Sequence, residues 1–397
     1  MTRYKSEEGL AILGDRMSDL SELGFDEEVQ KKAKEYAYHS MRRSVIVSSA
    51  SLVGVILILR LGLTVALKEF VSVYVSSEWV IIALFTMIGY LITWAVMLPL
   101  SYYEGYVVEH RYDLSTQTKR SWATDQIKGF ILSLVMILGI IEVIYFLLRE
   151  FSQVWWIIAW VFMTGFSILM TYIAPVLLMP IFFKYEPIED DQLKDNLTAL
   201  AEKVGVNVIG VFEMKAEEKT RRAIGALAGI GSTRRILLSD TLLKNYSVSE
   251  IEGVIGHELG HHVHRDIGKG IIEGAVFMFF GLFLADLFLK NALGLFGFED
   301  IADIAAIPLF GLILGIFFMV LSPIENTLSR RAERQADLYE LETVNKPDDF
   351  ISSMTKLCDQ NLRDADPHPL VEFLTYDHPS GKRRVEEAIK YRSNLDQ

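Results

Sequence analysis

Between Ser247 and His264 the chain reads SVSEIEGVIGHELGHHVH. Within it stands H-E-x-x-H, as His257, Glu258, Leu259, Gly260 and His261. Side chains four apart share one face of a helix, so His257 and His261 point the same way. Two imidazoles so placed grip one zinc ion. Glu258, one residue past the first ligand, is placed to take a proton from a water that the metal activates. Ser247 and Glu250 form the S-x-x-E pattern of a capping box, which starts the helix. Gly256 and Gly260 cost about 1 kcal/mol each against alanine in a helix. This helix therefore needs tertiary support, or the two glycines admit something close. The plainer reading is a solvated, histidine-rich helix end, since His262 and His264 follow at once. A third ligand would decide between the two.

The surroundings are apolar. The 397 residues are 51% hydrophobic, with mean hydropathy +0.28, which is high for a soluble protein of this size. The formal net charge is −12, so nucleic acid is not expected as a partner. The single cysteine, Cys358, excludes an intrachain disulfide and a cysteine-based metal site. The polar, acidic N-terminus does not read as a cleavable signal peptide. Six apolar runs, near 44–67, 79–102, 129–149, 154–183, 270–293 and 304–323, are long enough to cross a bilayer as helices. Pro175 and Pro180 threaten the end of the fourth. Strands are expected at 206–214 and 234–240, beside a helix at 191–204. Basic residues crowd alternate loops, which places both termini and the zinc helix on the cytoplasmic side. Charges inside the runs (Arg60, Glu142, Glu273 and Asp286) suggest a bundle around a wet cavity, with Glu142 as one candidate partner for Arg60.

The expected fold is mainly α: a polytopic helical bundle around a wet chamber, with a small α+β insert on the cytoplasmic side. Its parts are a segment 1–43, four spans in 44–183, an insert 184–269 with the zinc helix, two spans in 270–323, and a helical part 324–397.

The third ligand is sought after the last run, in ENTLSRRAERQADLYE, Glu325 to Glu340. Glu333 completes a two-histidine, one-glutamate catalytic site with an open fourth position. Asp337, one turn on, is placed to accept a hydrogen bond from a ligand imidazole and fix its tautomer. The competing reading is an exposed helix with Arg330, Arg331 and Arg334 as salt-bridge partners, but it leaves the zinc helix with two ligands.

Taken in order, HELGHHVH, two spans and N-x-x-S-R-x-x-E-x-x-A-D (Asn326 to Asp337) resemble the type I CAAX prenyl proteases, multi-span zinc endopeptidases. EHRYDLSTQT (109–118), MPIFFKYEPIEDDQL (179–193), RRILLSDTLL (234–243) and DHPSGKRR (377–384) extend the likeness over most of the chain from about residue 80. The resemblance implies His257, His261 and Glu333 as ligands of one zinc ion per chain, Glu258 as the base, and Asp337 as a further active-site acid. It also implies His378 as a group that steadies the oxyanion or substrate carbonyl. Arg384 carries over more weakly, as a cation near the substrate or a structural ion pair. Two departures stand out. The first span of the eukaryotic members is missing, which suggests a prokaryotic build. Where those members carry an Asn-Ala-Tyr-like stretch, this chain has AIGALAGIG (223–231).

The expected function is therefore peptide hydrolysis in a membrane, on a peptide or protein substrate, lipidated or not, captured along an exposed sheet edge near 223–240. One alternative is a zinc protease that removes misfolded membrane proteins. Another, of a different class, is a transporter or receptor whose histidines are incidental, and stoichiometric metal separates it from both proteases.

Overall fold

The computed structural model describes residues 19–229 and 231–395; the polar stretch before Asp19 and the last two residues lie outside them. The first helix, α1 (Glu27–Arg60), starts at Asp26, whose carboxylate accepts the backbone N–H of Val29. It runs from the basic stretch into the first apolar run without a break at residue 43. The expected span to residue 67 ends early. Gly62, at φ +66°, turns the chain into a separate helix, α2 (Leu63–Tyr74). Twelve residues at about 1.5 Å each are too short to cross a bilayer. Then follow α3 (Glu78–Tyr102), which continues through a π-helical turn to Arg111, α4 (Lys119–Glu150) and α5 (Trp155–Ile173). At the end of α5, Pro175 falls in a π-helical turn and Pro180 in a short helical turn, so the fourth apolar helix continues, distorted, to Phe182.

The insert follows. Strands β1 (Tyr185–Pro187), β2 (Val211–Met214), β3 (Gly225–Ala228) and β4 (Arg235–Ser239) form one sheet in the order β1-β2-β4-β3. The expected strand at 206–214 is shorter, because the chain turns through Gly210 at φ +155° before pairing begins. β2 and β4 are parallel; β3 runs antiparallel to β4, with Gly225 opposite Leu238 and Ala228 opposite Arg235. Among the described residues no strand lies on the outer side of β3. Helix α6 (Asp191–Lys203) packs Leu193, Leu197 and Ala201 into the insert's core with Ile236, Leu238 and Ile255. After the short α7 (Asp240–Asn245) comes α8 (Val248–Val263), the helix with the histidine pattern.

The last two apolar helices are α9 (Asp266–Ala292) and α10 (Ile307–Val344). α10 runs on past residue 323 without a break, so one helix carries both the last apolar run and Glu333. Helices α11 (Pro347–Gln360), α12 (Pro369–Thr375) and α13 (Gly381–Leu395) close the chain. Among the described residues six helices are long and apolar enough to cross a membrane. Their inner faces share a core built on Phe85, Tyr145, Trp155, Leu282 and Leu309. Valines, leucines and phenylalanines on their outer faces stay exposed, as lipid contact requires.

Arg60 does not pair with Glu142. Its guanidinium donates to the Leu295 carbonyl at 3.1 Å and lies over the Phe296 ring. Glu142 Oε2 is buried without a hydrogen-bond partner. Asp286 accepts from the Trp155 indole at 2.6 Å and from Lys290 at 2.8 Å.

Candidate metal centre

The capping box forms as expected. Ser247 Oγ accepts the backbone N–H of Glu250, and Glu250 Oε2 accepts that of Ser247 at 2.8 Å. The glycines of α8 answer the propensity question. They face α10 at close range. A Cβ on Gly253 would lie 2.6 Å from Glu340 Oε1, one on Gly256 2.7 Å from Val344 Cγ2, and one on Gly260 3.0 Å from the Ala336 Cα. Missing side chains let the two helices approach, and this brings Glu333 to the histidines.

His257 Nε2 and His261 Nε2 are 3.2 Å apart. Each lies 3.3 Å from one carboxylate oxygen of Glu333. The other ring nitrogens are held: His257 Nδ1 by Asp337 at 2.9 Å and His261 Nδ1 by Asp266 at 3.0 Å. A carboxylate at Nδ1 accepts a hydrogen bond from the ring N–H, which keeps the proton there and leaves a lone pair on Nε2. Two lone pairs 3.2 Å apart, beside a carboxylate, repel one another unless a cation lies between them. Glu333 Oε2 is buried and accepts no well-formed hydrogen bond; its near neighbour is His257 Nε2 at 3.3 Å. Burial opposes charge on His257, yet the Asp337 and Glu333 carboxylates prevail and push its pKa up to about 10, so a proton and a metal cation compete for the Nε2 lone pair. The donor set thus fits a metal cation: two nitrogens and one carboxylate on rigid helices, as in catalytic zinc sites.

Arg384 is buried and donates from Nε to Asp337 Oδ2 at 2.8 Å, with a second, shorter bond from its terminal nitrogen to Oδ1. Of its two expected roles, the geometry shows the ion pair, and the Asp337 carboxylate raises the Arg384 pKa against the opposing effect of burial. His378 comes from the far end of the sequence. Its Nε2 lies 3.2 Å from Glu333 Oε1, and its Nδ1 lies 2.7 Å from Asp377. Glu258 is part-buried and forms no hydrogen bond or ion pair among the described residues. It faces a cavity of about 880 Å³ bordered by Arg222 to Gly225 at the start of β3, by His378 and by the Lys34–Val45 stretch of α1. His262 and His264 stay outside the cluster; His264 bonds back to the Gly260 carbonyl at 2.9 Å.

The sequence reading missed Asp266, Asp377 and Glu340. Asp266 lies five residues past His261, across the helix end, where spacing rules do not reach. Glu340 is 4% exposed and near His257 and Asp337, in room made by Gly253.

Fold and site together define a multi-pass membrane protein with two histidines and one glutamate grouped as a candidate metal centre. Residues 17–184 match the family described as CAAX prenyl protease N-terminal, five membrane helices, and residues 187–392 match peptidase family M48. The chain belongs to the CAAX prenyl protease family of M48 peptidases and is a membrane metalloendopeptidase. Four of its long apolar helices fall in the N-terminal match, with the short α2 beside them. The uncharacterized metalloprotease YhfN of Bacillus subtilis (strain 168) is 30% identical, over 83% of this chain and 78% of that one. CAAX prenyl protease 1 of Saccharomyces cerevisiae is 30% identical over 73% of this chain and 68% of its own length. The crystal structure of S. mikatae Ste24p shares the fold, with TM-score 0.83 and 24% identity over 91% of this chain and 89% of that one.

Proposed function

We propose that the protein is a zinc endopeptidase holding one zinc ion per chain on His257, His261 and Glu333, and that it cuts extended peptides, with prenylated ones as a substrate class. The observation that carries this is the meeting of one ligand atom each from His257, His261 and Glu333, on α8 and α10, beside a cavity that Glu258 lines. When bound, zinc supplies a Lewis acid that activates water and polarises the scissile carbonyl. Glu258 takes the proton of the attacking water on its carboxylate and gives it to the leaving amine nitrogen. Asp337 and Asp266 hold the two imidazoles in the ligating tautomer. His378, which borders the same cavity, steadies the oxygen that gains charge. The open edge of β3 offers its N–H and C=O groups to a substrate strand, and Arg222 to Gly225 at its start line the cavity.

In this reading the parts are a cytoplasmic segment 1–43, spans in 44–183 and 270–323, the insert 184–269 and the C-terminal part 324–397. The catalytic face lies on the cytoplasmic side of the cell membrane, as the basic loops favour. The names of the relatives favour a prenylated CAAX peptide, whereas the Gly-Ala-Leu-Ala sequence of β3 gives a substrate only backbone and small apolar contacts. The test is to incubate purified protein with a farnesylated and an unmodified version of one peptide ending in a CAAX sequence, and to map the cuts by mass spectrometry. Cutting after the prenylated cysteine alone supports the CAAX substrate; equal cutting of both removes the lipid requirement. No cutting of these or of denatured casein by zinc-loaded protein would overturn the peptidase mechanism.

A further inference from the structure

α10 carries a second buried group one turn before Glu333. Arg330 is 7% exposed and, among the described residues, pairs with no carboxylate. The sequence reading of it as half of a surface salt bridge does not hold. Its Nη1 donates to the backbone carbonyls of Glu372, at 3.0 Å, and Tyr376; its Nη2 donates to Thr327 Oγ1 at 2.8 Å. Asn326, one turn earlier, donates to the Leu374 carbonyl at 2.9 Å. These carbonyls lie in the last turn of α12 and just beyond it, where a helix leaves C=O groups without internal partners; that of Glu372 also accepts the Tyr376 N–H at 3.1 Å.

The chain from Tyr376 to Ser380 is thereby pinned at both ends. Arg330 holds the Tyr376 carbonyl, and Glu372 Oε1 accepts the Ser380 N–H at 3.1 Å. Between the pins stands His378, its Nδ1 on Asp377 and its Nε2 3.2 Å from Glu333. A buried guanidinium is costly to desolvate unless its N–H groups find acceptors, and here three oxygens accept from it. The same helix thus presents Glu333 to the histidines and, one turn away, fixes the loop that sets His378 over Glu333.

We propose that Arg330 is a positioning residue for peptide hydrolysis, acting through His378 by holding the Tyr376–Ser380 loop against α10. The proposal rests on the role given to His378 above. Its test is a double-mutant cycle on whichever of the paired peptides is cut, with zinc content measured on every variant. Arg330→Gln should keep its zinc and lose about 10²-fold in kcat with little change in KM, as His378→Ala should. The double variant should fall no further than the worse single one, because the two act as a unit. Losses that multiply would overturn the coupling, and so would an Arg330→Gln enzyme with near-normal kcat. A His378→Ala enzyme with full activity would instead show that the role of His378 itself fails. Hydrogen exchange gives a readout without substrate. In Arg330→Gln the amides of residues 377–381 should exchange faster while those of α8 do not change; unchanged exchange in the loop overturns the proposal. Glu372→Ala frees the other pin and should behave alike. If neither variant accumulates as zinc-loaded protein, both residues belong to folding and the positioning role is wrong.

Discussion

Glu258 and His257 are neighbours in sequence with opposite tasks in the proposed mechanism. Successive residues on a helix point about 100° apart, so Glu258 cannot join the ligand face that His257 and His261 share. It stays without a protein partner and faces the cavity. Glu258→Gln removes the proton acceptor and keeps the shape. It should retain metal and fold while losing about 10²–10⁴-fold in cleavage, measured as turnover against zinc content. Loss of the metal, or near-normal turnover, would remove Glu258 from the role of base.

At the scale of elements, the contact between α8 and α10 sets the geometry of the centre. Gly260 tests it, because its neighbour across the contact is backbone, which cannot swing aside. Helix propensity alone predicts that Gly260→Ala stabilises α8 by about 1 kcal/mol. The new Cβ, 3.0 Å from the Ala336 Cα, should reverse that sign. Pushed apart, the helices should carry Glu333 away from the histidines, so the variant should melt earlier and hold less zinc. A higher melting temperature with full zinc would show that the approach is not tight. The N-terminal end of α8 gives a pH test. Burial alone would raise the Glu250 pKa, but hydrogen bonds from Lys356, Ser352 and the Ser247 N–H outweigh it and hold it below the ordinary carboxylate value. The folded pKa is thus lower than the unfolded one, near 4.3. Its stabilisation is complete above that pH and is lost as pH falls through the folded value. Glu250→Ala should cost about 1–3 kcal/mol at pH 7. Its deficit in melting temperature should shrink below pH 4; a deficit that is constant with pH would deny the ionic part.

At the scale of the whole molecule, the open question is which face of the membrane the centre occupies. In the proposed topology the Ser152 turn and the insert lie on opposite sides. Single cysteines read this out. The native Cys358 is a quiet background, since it is buried and burial pushes its thiol up to about 11. In intact cells a cysteine at exposed Ser152 should react with an impermeant thiol reagent, and one at exposed Glu189 should react only after the cells are opened. The reverse pattern would put the catalytic face outside and make the substrate an exported protein.

Local chemistry writes much of this protein into its sequence. The apolar runs, the capping box at Ser247 and the His257–His261 spacing depend on contacts within one or two turns, which periodicity and capping rules capture. The separate helix α2 escaped because one glycine conformation, at Gly62, decides it inside an unbroken apolar run. Strand β3 is legible only through the resemblance, which puts a sheet edge near 223–240, because Gly-Ala-Leu-Ala has little strand propensity of its own and is held by pairing with β4 and packing on α8. The sequence also left Gly256 and Gly260 as a weakness and Arg330 as one charge in a run. Only the packed structure shows that the glycines exist for α10, and that Arg330 serves carbonyls more than forty residues away. Asp266, Arg384 and Asp377 likewise gain partners only once the chain has folded. A ligand pattern depends on helix pitch, which each segment carries alone; the shell that orients the ligands depends on which helices meet, and that is settled by burial across the whole chain.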